Sequence, residues 1–311
     1  MSGRNSAFFV RRLIGAVGVA FGAMTLVFTI LYWLPGDPAF LIAGDDAPDA
    51  VVEQVRARLG TDRPFSEQYV HYVGKLLHGD FGTSYVTGEP VIGRIVAQLP
   101  ATLELTLVAA LVALVLGVLG GVVAAVTRGR WLDQLLQSTA LFVGSMPSFW
   151  FGIILILIFS VHLRWLPAIG NGTLAQMVLP AACLGLGAAG DLARMTRDCI
   201  LDVLDEPFVV TLRAKGLTEQ AVLYRHVLRS ALIPVITMLG MRIGTLLSGT
   251  VVVEALFARQ GLGRIISEAV NTKDIPMVLA AVLIASLFYI LINLVVDFSY
   301  SRIDRRVRLE G

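Results

Sequence analysis

Charge is what this chain has least of. Asp, Glu, Lys and Arg make up 15% of its 311 residues, against 56% apolar residues. A soluble protein carries roughly 25% charged residues. A chain this poor in charge cannot clothe a water-facing surface of its own size, which excludes an ordinary soluble enzyme. Lysine is rarer still, confined to Lys75, Lys215 and Lys273. None of them stands in a G-x-x-x-x-G-K-[ST] phosphate loop, so the chain lacks visible means of hydrolysing ATP. Cysteine is limited to Cys183 and Cys199, which supply neither a disulfide framework nor metal-ligand spacing. His71, His78, His162 and His226 are scattered over different loops without acidic or thiol companions, a poor donor set for a metal. H-E-x-x-H and G-x-S-x-G are absent, which removes metalloprotease and serine-hydrolase readings. The net charge of +2 is too near neutral to suggest a nucleic-acid partner. No catalytic residue, bound cofactor or metal site is expected.

What the chain has instead is long apolar runs. They cover residues 13–36, 105–127, 134–163, 165–190, 230–253 and 275–296, the fifth interrupted once by Arg242. Each reaches the roughly 20 residues that cross a hydrocarbon core. In lipid the backbone must satisfy its own hydrogen bonds, so each run is expected to be a helix. The first run exceeds the core of a signal peptide and reads as an uncleaved span. Basic residues alternate between the connections. Counted along the chain, one set of connections holds fifteen Lys and Arg and the other nine. By the positive-inside rule both termini are expected to be cytoplasmic. Gly18/Gly22, Gly117/Gly121 and Gly240/Gly244 form GxxxG pairs suited to close helix packing, and Pro147 and Pro180 predict kinks.

Two segments outside the spans carry structure of their own. In the outer segment, 35–100, Asp49 is expected to cap a helix ended by Gly60, and Ser66 a second one ended by Gly79. In the inner segment, 193–229, Pro207 stops any helix arriving from the fourth span. Residues 208–214 then form a short helix with Phe208, Val209 and Leu212 on an apolar face, and Gly216 permits a left-handed turn. Thr218 caps a helix over 219–229 that leads to Pro234 and the fifth span. Held by spans on both sides, the short helix suits docking in a partner's groove or, alternatively, lying on the bilayer surface. Arg242 lies about 12 residues, or roughly 18 Å, into its span. A central Arg costs at least about 2.5 kcal/mol, so it is expected to face a water-filled cavity or an acidic partner: either it lines a transport route and meets a carboxylate on the cargo, or it makes a structural pair or a hydrogen-bonded contact with another subunit. Asp191 and Asp297 are expected at inner span ends.

Several motifs together resemble the inner-membrane permease subunits of binding-protein-dependent ABC importers, in the oligopeptide, dipeptide and nickel branch. They begin with Leu34-Pro35-Gly36-Asp37-Pro38, Gly60-Thr61-Asp62-Arg63-Pro64 and Gly79-Asp80-Phe81-Gly82-Thr83-Ser84-Tyr85. Leu99-Pro100-Ala101-Thr102, Ser145-Met146-Pro147-Ser148 and Leu179-Pro180-Ala181 follow in the spans. Arg213-Ala214-Lys215-Gly216-Leu217, with His226 and Arg229 to Pro234, resembles that branch's version of the EAA loop, which couples to the ATPase. Val210-Thr211-Leu212 stands where the general EAA triplet would fall, and Arg242 where a neutral residue is expected.

The resemblance implies an all-α polytopic membrane protein of six transmembrane helices, with the type I ABC importer transmembrane-domain fold. A small helical periplasmic segment would lie between helices 1 and 2. Residues 1–34 would be the cytoplasmic N-terminus and first helix, 35–100 the external segment and 101–311 the transporter core. The implied function is one half of the translocation path for peptides or a similar small solute. Coupling to the ATPase would run through Pro207, Phe208, Val209, Leu212, Arg213, Ala214, Lys215, Gly216, Leu217, Glu219, His226 and Arg229. Arg242, Pro147 and Ser145 would lie along the path. The implied partners are a second homologous permease, two ATPase subunits carrying ATP and Mg, an extracytoplasmic solute-binding protein and the lipid bilayer. The competing reading is a stand-alone secondary transporter or channel, which inverted repeats would favour and none are visible.

Overall fold

The computed structural model describes residues 2–44 and 46–303, and side chains within 15–44 and 46–294. Among the described residues the regular structure is helical, with one isolated β-bridge between Thr83 and Pro90. The order is α1 (Ser2–Trp33), α2 (Pro38–Ala43), α3 (Asp49–Leu59), α4 (Phe65–Leu77), α5 (Val91–Val126), α6 (Trp131–Ser145) and α7 (Ser148–Leu155). It continues with α8 (Leu174–Leu204), α9 (Pro207–Ala214), α10 (Glu219–Ala221), α11 (Leu228–Leu256), α12 (Leu262–Asn271) and α13 (Ile275–Ile303). Wider π-helical turns extend α7 to His162 and join α10 to α11.

Among the described residues four helices are long and apolar enough to cross a membrane, and α6 with α7 makes a fifth if the bent pair is one span. A shorter apolar stretch, Val17–Trp33, lies within α1. Each charge-free run therefore falls on a helix or a bent pair of helices. Two boundaries differ from the sequence reading. The third run is bent by 109° between Ser145 and Ser148, because Pro147 cannot donate to the preceding turn and Met146 before it is extended. The fourth run does not begin helically at 165. Its helix starts after Thr173, whose hydroxyl accepts from the Gln176 amide while the Gln176 side chain accepts from the Thr173 amide. It then continues past 190 to Leu204.

The chain divides into two compact units. The first runs to Ala101 and takes in Gln260–Ile290. Its core packs Met24, Phe28 and Leu31 of α1 with Val91, Ile95, Ile265 and Met277. Phe65 and Tyr69 of α4 add edge-on ring contacts to Phe28, at 5.4 and 5.3 Å. The expected caps of the outer helices are not the observed ones. α3 and α4 start after Pro48 and Pro64, neither with a side-chain cap, so Asp49 and Ser66 sit inside the first turn. The prolines fix the extended approach, and Asp49 is left to meet the positive helix end. Gly60 and Gly79 do end these helices, at φ +73° and +78°.

Polar ties close this unit. Asp37 accepts from the Ala39 amide at 2.9 Å and from Arg56 Nη2 at 2.5 Å. Burial works to raise the Asp37 carboxyl, but the Arg56 hydrogen bond and Ala39 amide outweigh it and hold the group below the usual carboxylate range. Asp274 accepts from the Ser84 hydroxyl and from the Tyr85 amide, the latter at 3.0 Å. Lys273 donates to the carbonyls of Leu34 and Pro35.

The second unit, Thr102–Arg259 with residues 291–303, centres on α8. Its neighbours approach it at glycines. A Cβ at Gly117 of α5 would lie 2.6 Å from Leu192 Cβ, and one at Gly121 would lie 2.6 Å from the Ala193 carbonyl oxygen. A Cβ at Gly190 would lie 2.6 Å from the Ala140 carbonyl oxygen of α6. The Gly117/Gly121 pair is therefore a real crossing point, whereas Gly18 and Gly22 face open space. We expect Gly121→Leu to destabilise the isolated chain by about 1–3 kcal/mol through overpacking, and Gly18→Leu to leave it unchanged. Thermal unfolding of the purified variants in detergent checks both.

Candidate functional site

The segment between the fourth and fifth spans forms a fixed elbow. α8 stops at Leu204, Glu206 turns extended, and Pro207 opens α9 at its first position, where a missing amide costs nothing. α9 divides by face. Val209 is buried, and Leu212 and Leu217 are partly buried, against Ile200, Val222, Val227 and Ala231. Phe208 is 40% exposed and Val210 63% exposed. The three apolar residues expected to share a docking face are thus separated: Val209 and Leu212 hold the helix down, and Phe208 points away from the core. Alternation within one turn of helix explains this, because 208 and 209 are about 100° apart.

Gly216 makes the corner. Its φ is +81°, in the region that favours glycine. A Cβ there would meet nothing within 4 Å, so the constraint is backbone conformation rather than space. The Gly216 amide donates to the Arg213 carbonyl at 2.9 Å, and Leu217 to the Leu212 carbonyl at 3.3 Å. Arg213 spans the corner, donating from Nε and Nη2 to the two carboxylate oxygens of Glu219 at 2.8 and 3.1 Å. This fork-to-fork geometry fixes orientation as well as distance. Thr218 accepts from the Ala221 amide at 3.3 Å, as its capping role requires. Pro207, Ala214, Lys215 and Arg229 are exposed, and His226 is half-buried. The sequence reading noted Val210 only as standing in place of the EAA triplet and did not single out Tyr224; both are exposed on the same segment.

Arg242 lies elsewhere, on α11. Its Nη2 contacts Asp191 Oδ2 at 2.5 Å. Asp191 stands within α8, 17 residues from Leu174 and 13 from Leu204. Asp297 lies outside the described side chains. Arg242 and Asp191 line a cavity of 260 Å³ with Gly144, Met146, Ser148 and Gly187. Ser145 and Pro147 are not in it. They line a separate groove with Phe142, Phe149 and Trp150, and the Ser145 hydroxyl donates to the Leu141 carbonyl at 2.8 Å. The bend at Pro147 divides the third span between these two surfaces.

Two family models match the chain. The one described as the binding-protein-dependent transport system inner membrane component covers residues 117–309, and its N-terminal counterpart covers 6–106. The glutathione transport system permease protein GsiC of Escherichia coli (strain K12) is 42% identical over 301 residues, covering 97% of this chain and 98% of the relative. The GsiC protein of Shigella dysenteriae serotype 1 matches to the same extent. Among solved structures, the MetNI methionine ABC transporter in inward-facing conformations superposes with a TM-score of 0.58 at 23% identity, over 71% of this chain and 99% of that one. An amino acid ABC transporter superposes with a TM-score of 0.50 at 17% identity, over 70% and 95%. At these identities the two structures speak for the fold alone.

The Arg213–Glu219 bridge sets a pH dependence. The Arg213 hydrogen bond holds the Glu219 carboxyl below its usual range, and Glu219 raises Arg213. A depressed folded-state value means that the bridge contributes above the ordinary carboxylate range and is lost as pH falls through the folded value. We expect amide exchange at Gly216 and Leu217, corrected for intrinsic rates, to accelerate in Glu219→Gln and in Arg213→Gln. The double variant should exchange no faster than either, and acid should bring the wild type to the same rate.

Proposed function

Because the chain belongs to the family of binding-protein-dependent transport system inner-membrane components, we propose that residues 207–229 are the element through which this subunit is driven. The protein is the multi-pass inner-membrane permease of an ATP-driven importer. ATP hydrolysis resides on separate subunits, and the chain works with other permease, ATPase and binding-protein subunits rather than as a stand-alone transporter or channel.

One second, homologous permease completes the path, two ATPase subunits carry ATP and Mg, and one solute-binding protein delivers cargo to the outer face. This chain binds no cofactor itself. Both termini are cytoplasmic, the 35–100 segment is external, and 101–311 forms the transporter core. The outward residues of the elbow, Pro207, Phe208, Ala214 and Lys215, contact the ATPase. Val209, Leu212 and Leu217 transmit the contact to the bundle, and Arg213, Gly216 and Glu219 keep the corner rigid. His226 and Arg229 continue the contact along the helix that leads to α11. Arg242 faces the path, and Ser145 and Pro147 shape its neighbouring wall. The cargo is a short peptide, a class that includes the glutathione named for the E. coli relative.

The observation that carries the coupling assignment is the corner itself: a short helix with exposed Phe208 and Val210, anchored through buried Val209 and locked by Gly216 and the Arg213–Glu219 fork. Movement of two partner subunits can then be passed to the spans as a rigid-body shift between two arrangements. Gly216→Val places a β-branched residue at positive φ and misdirects α9. We expect it to abolish ATP-dependent uptake by the assembled transporter at unchanged membrane content. Normal uptake by that variant would refute the coupling role.

A further inference from the structure

The charge cluster on α8 and α11 is not a simple neutral pair. Asp191 accepts from Arg194 Nη2 at 2.6 Å and contacts Arg242 Nη2 at 2.5 Å. Two guanidinium groups share one carboxylate, so the cluster carries excess positive charge inside helices of membrane-crossing length. An Arg within a membrane-spanning helix is expected to face a partner or a water-filled cavity, and here the partner carboxylate is shared. No second carboxylate pairs with Arg194 or Arg242 among the described residues.

The surroundings point the same way. The Arg242 side chain is 39% exposed, so the guanidinium opens onto the 260 Å³ cavity rather than being sealed in packing. Part of that cavity is walled by glycine. A Cβ at Gly187 would meet nothing within 4 Å, which leaves room beside the charge. Arginine presents a planar fork of donors matched to a carboxylate, and its contact with Asp191 shows the group already oriented toward one.

We propose that Arg242 is an anion-recognising point of the translocation path, binding a free carboxylate of a peptide cargo in exchange for Asp191. The inference rests on the reading of the chain as a peptide permease. The two-to-one ratio is what makes the exchange possible. When a cargo carboxylate takes Arg242, Asp191 keeps Arg194, so no carboxylate is stranded in a low-dielectric site. When the cargo leaves, Asp191 reclaims Arg242. No bond is made or broken beyond these contacts.

The test is equilibrium binding of radiolabelled glutathione to the assembled complex of permeases and ATPases, purified without binding protein, beside uptake by the complete system in liposomes. A hydrogen bond between charged groups implies that Arg242→Gln weakens binding about ten-fold or more, and Arg242→Lys weakens it less. Asp191→Asn removes the resident competitor and should tighten binding. A structural pair predicts the opposite pattern, with Arg242→Gln and Asp191→Asn moving binding in the same direction; that result overturns the site. Should Asp191→Asn not assemble, Arg242→Lys decides: binding as weak as in Arg242→Gln overturns the site. A wild-type complex that transports glutathione but does not bind it at this point refutes the inference and leaves the peptide reading standing. One that neither binds nor transports glutathione or any of a panel of labelled di- and tripeptides refutes the peptide reading as well.

Discussion

The close approach of α8 to its neighbours is the constraint on which the transporter unit depends. Lipid tails are as apolar as leucine, so helices in a bilayer gain little from burying apolar side chains and must gain from contact instead. Gly117 and Gly121 bring α5 onto Leu192, Ala193 and Thr196, and Gly190 brings α8 onto the Ala140 carbonyl of α6. At such separations a single methyl group has no place to go. The position of α8 along its own axis is thereby fixed, and two further features follow. Asp191, the residue after Gly190, is held where Arg242 can reach it. The end of the helix at Leu204 is held where α9 must begin.

Much of this was legible in the chain before any coordinates. Absence of charge is a property of each residue alone, so the six apolar runs marked where helices lie, though not the break in the third or the late start of the fourth. Gly216 and Thr218 were legible because a left-handed corner and a helix cap each favour few residue types. Other features were not. Asp49 and Ser66 are good cap residues, but Pro48 and Pro64 already fix the entry to α3 and α4, and composition does not rank one device over the other. The helical start of the fourth span was masked because the 165–173 loop is as uncharged as the first part of the helix after it, up to residue 190. The pairing of Asp191 with Arg242 joins residues 51 positions apart on different helices. A sequence can mark each as anomalous without saying that each is the other's explanation.

The same distinction separates the residues of the elbow. Phe208, Val209 and Leu212 look alike in sequence, but burial divides them: Val209 is buried, Leu212 partly buried and Phe208 exposed. Val209 sits with Ile200 of α8 and with Val222 and Val227 ahead of α11. That cluster joins the elbow to both long helices at once. A shift imposed on Phe208 cannot be absorbed locally by a well-packed cluster, since close-packed interiors transmit displacement rather than dissipate it.

Those two helices also carry Asp191 and Arg242. Asp191 stands 13 residues from the end of α8, about 20 Å along the axis. Its two arginine contacts differ in what a helix shift can do to them. Arg194 is on the same helix, three residues away, and travels with Asp191 as a rigid body. Arg242 is on α11, so that contact lengthens or shortens whenever the two helices move relative to one another. At ion-pair distances in a medium of low dielectric, small displacements change the interaction steeply. Movement at the elbow would therefore act on the Arg242 contact and spare the Arg194 contact. One carboxylate shared between a fixed partner and a movable one is a way to make a charged contact releasable in the membrane without leaving an isolated carboxylate behind.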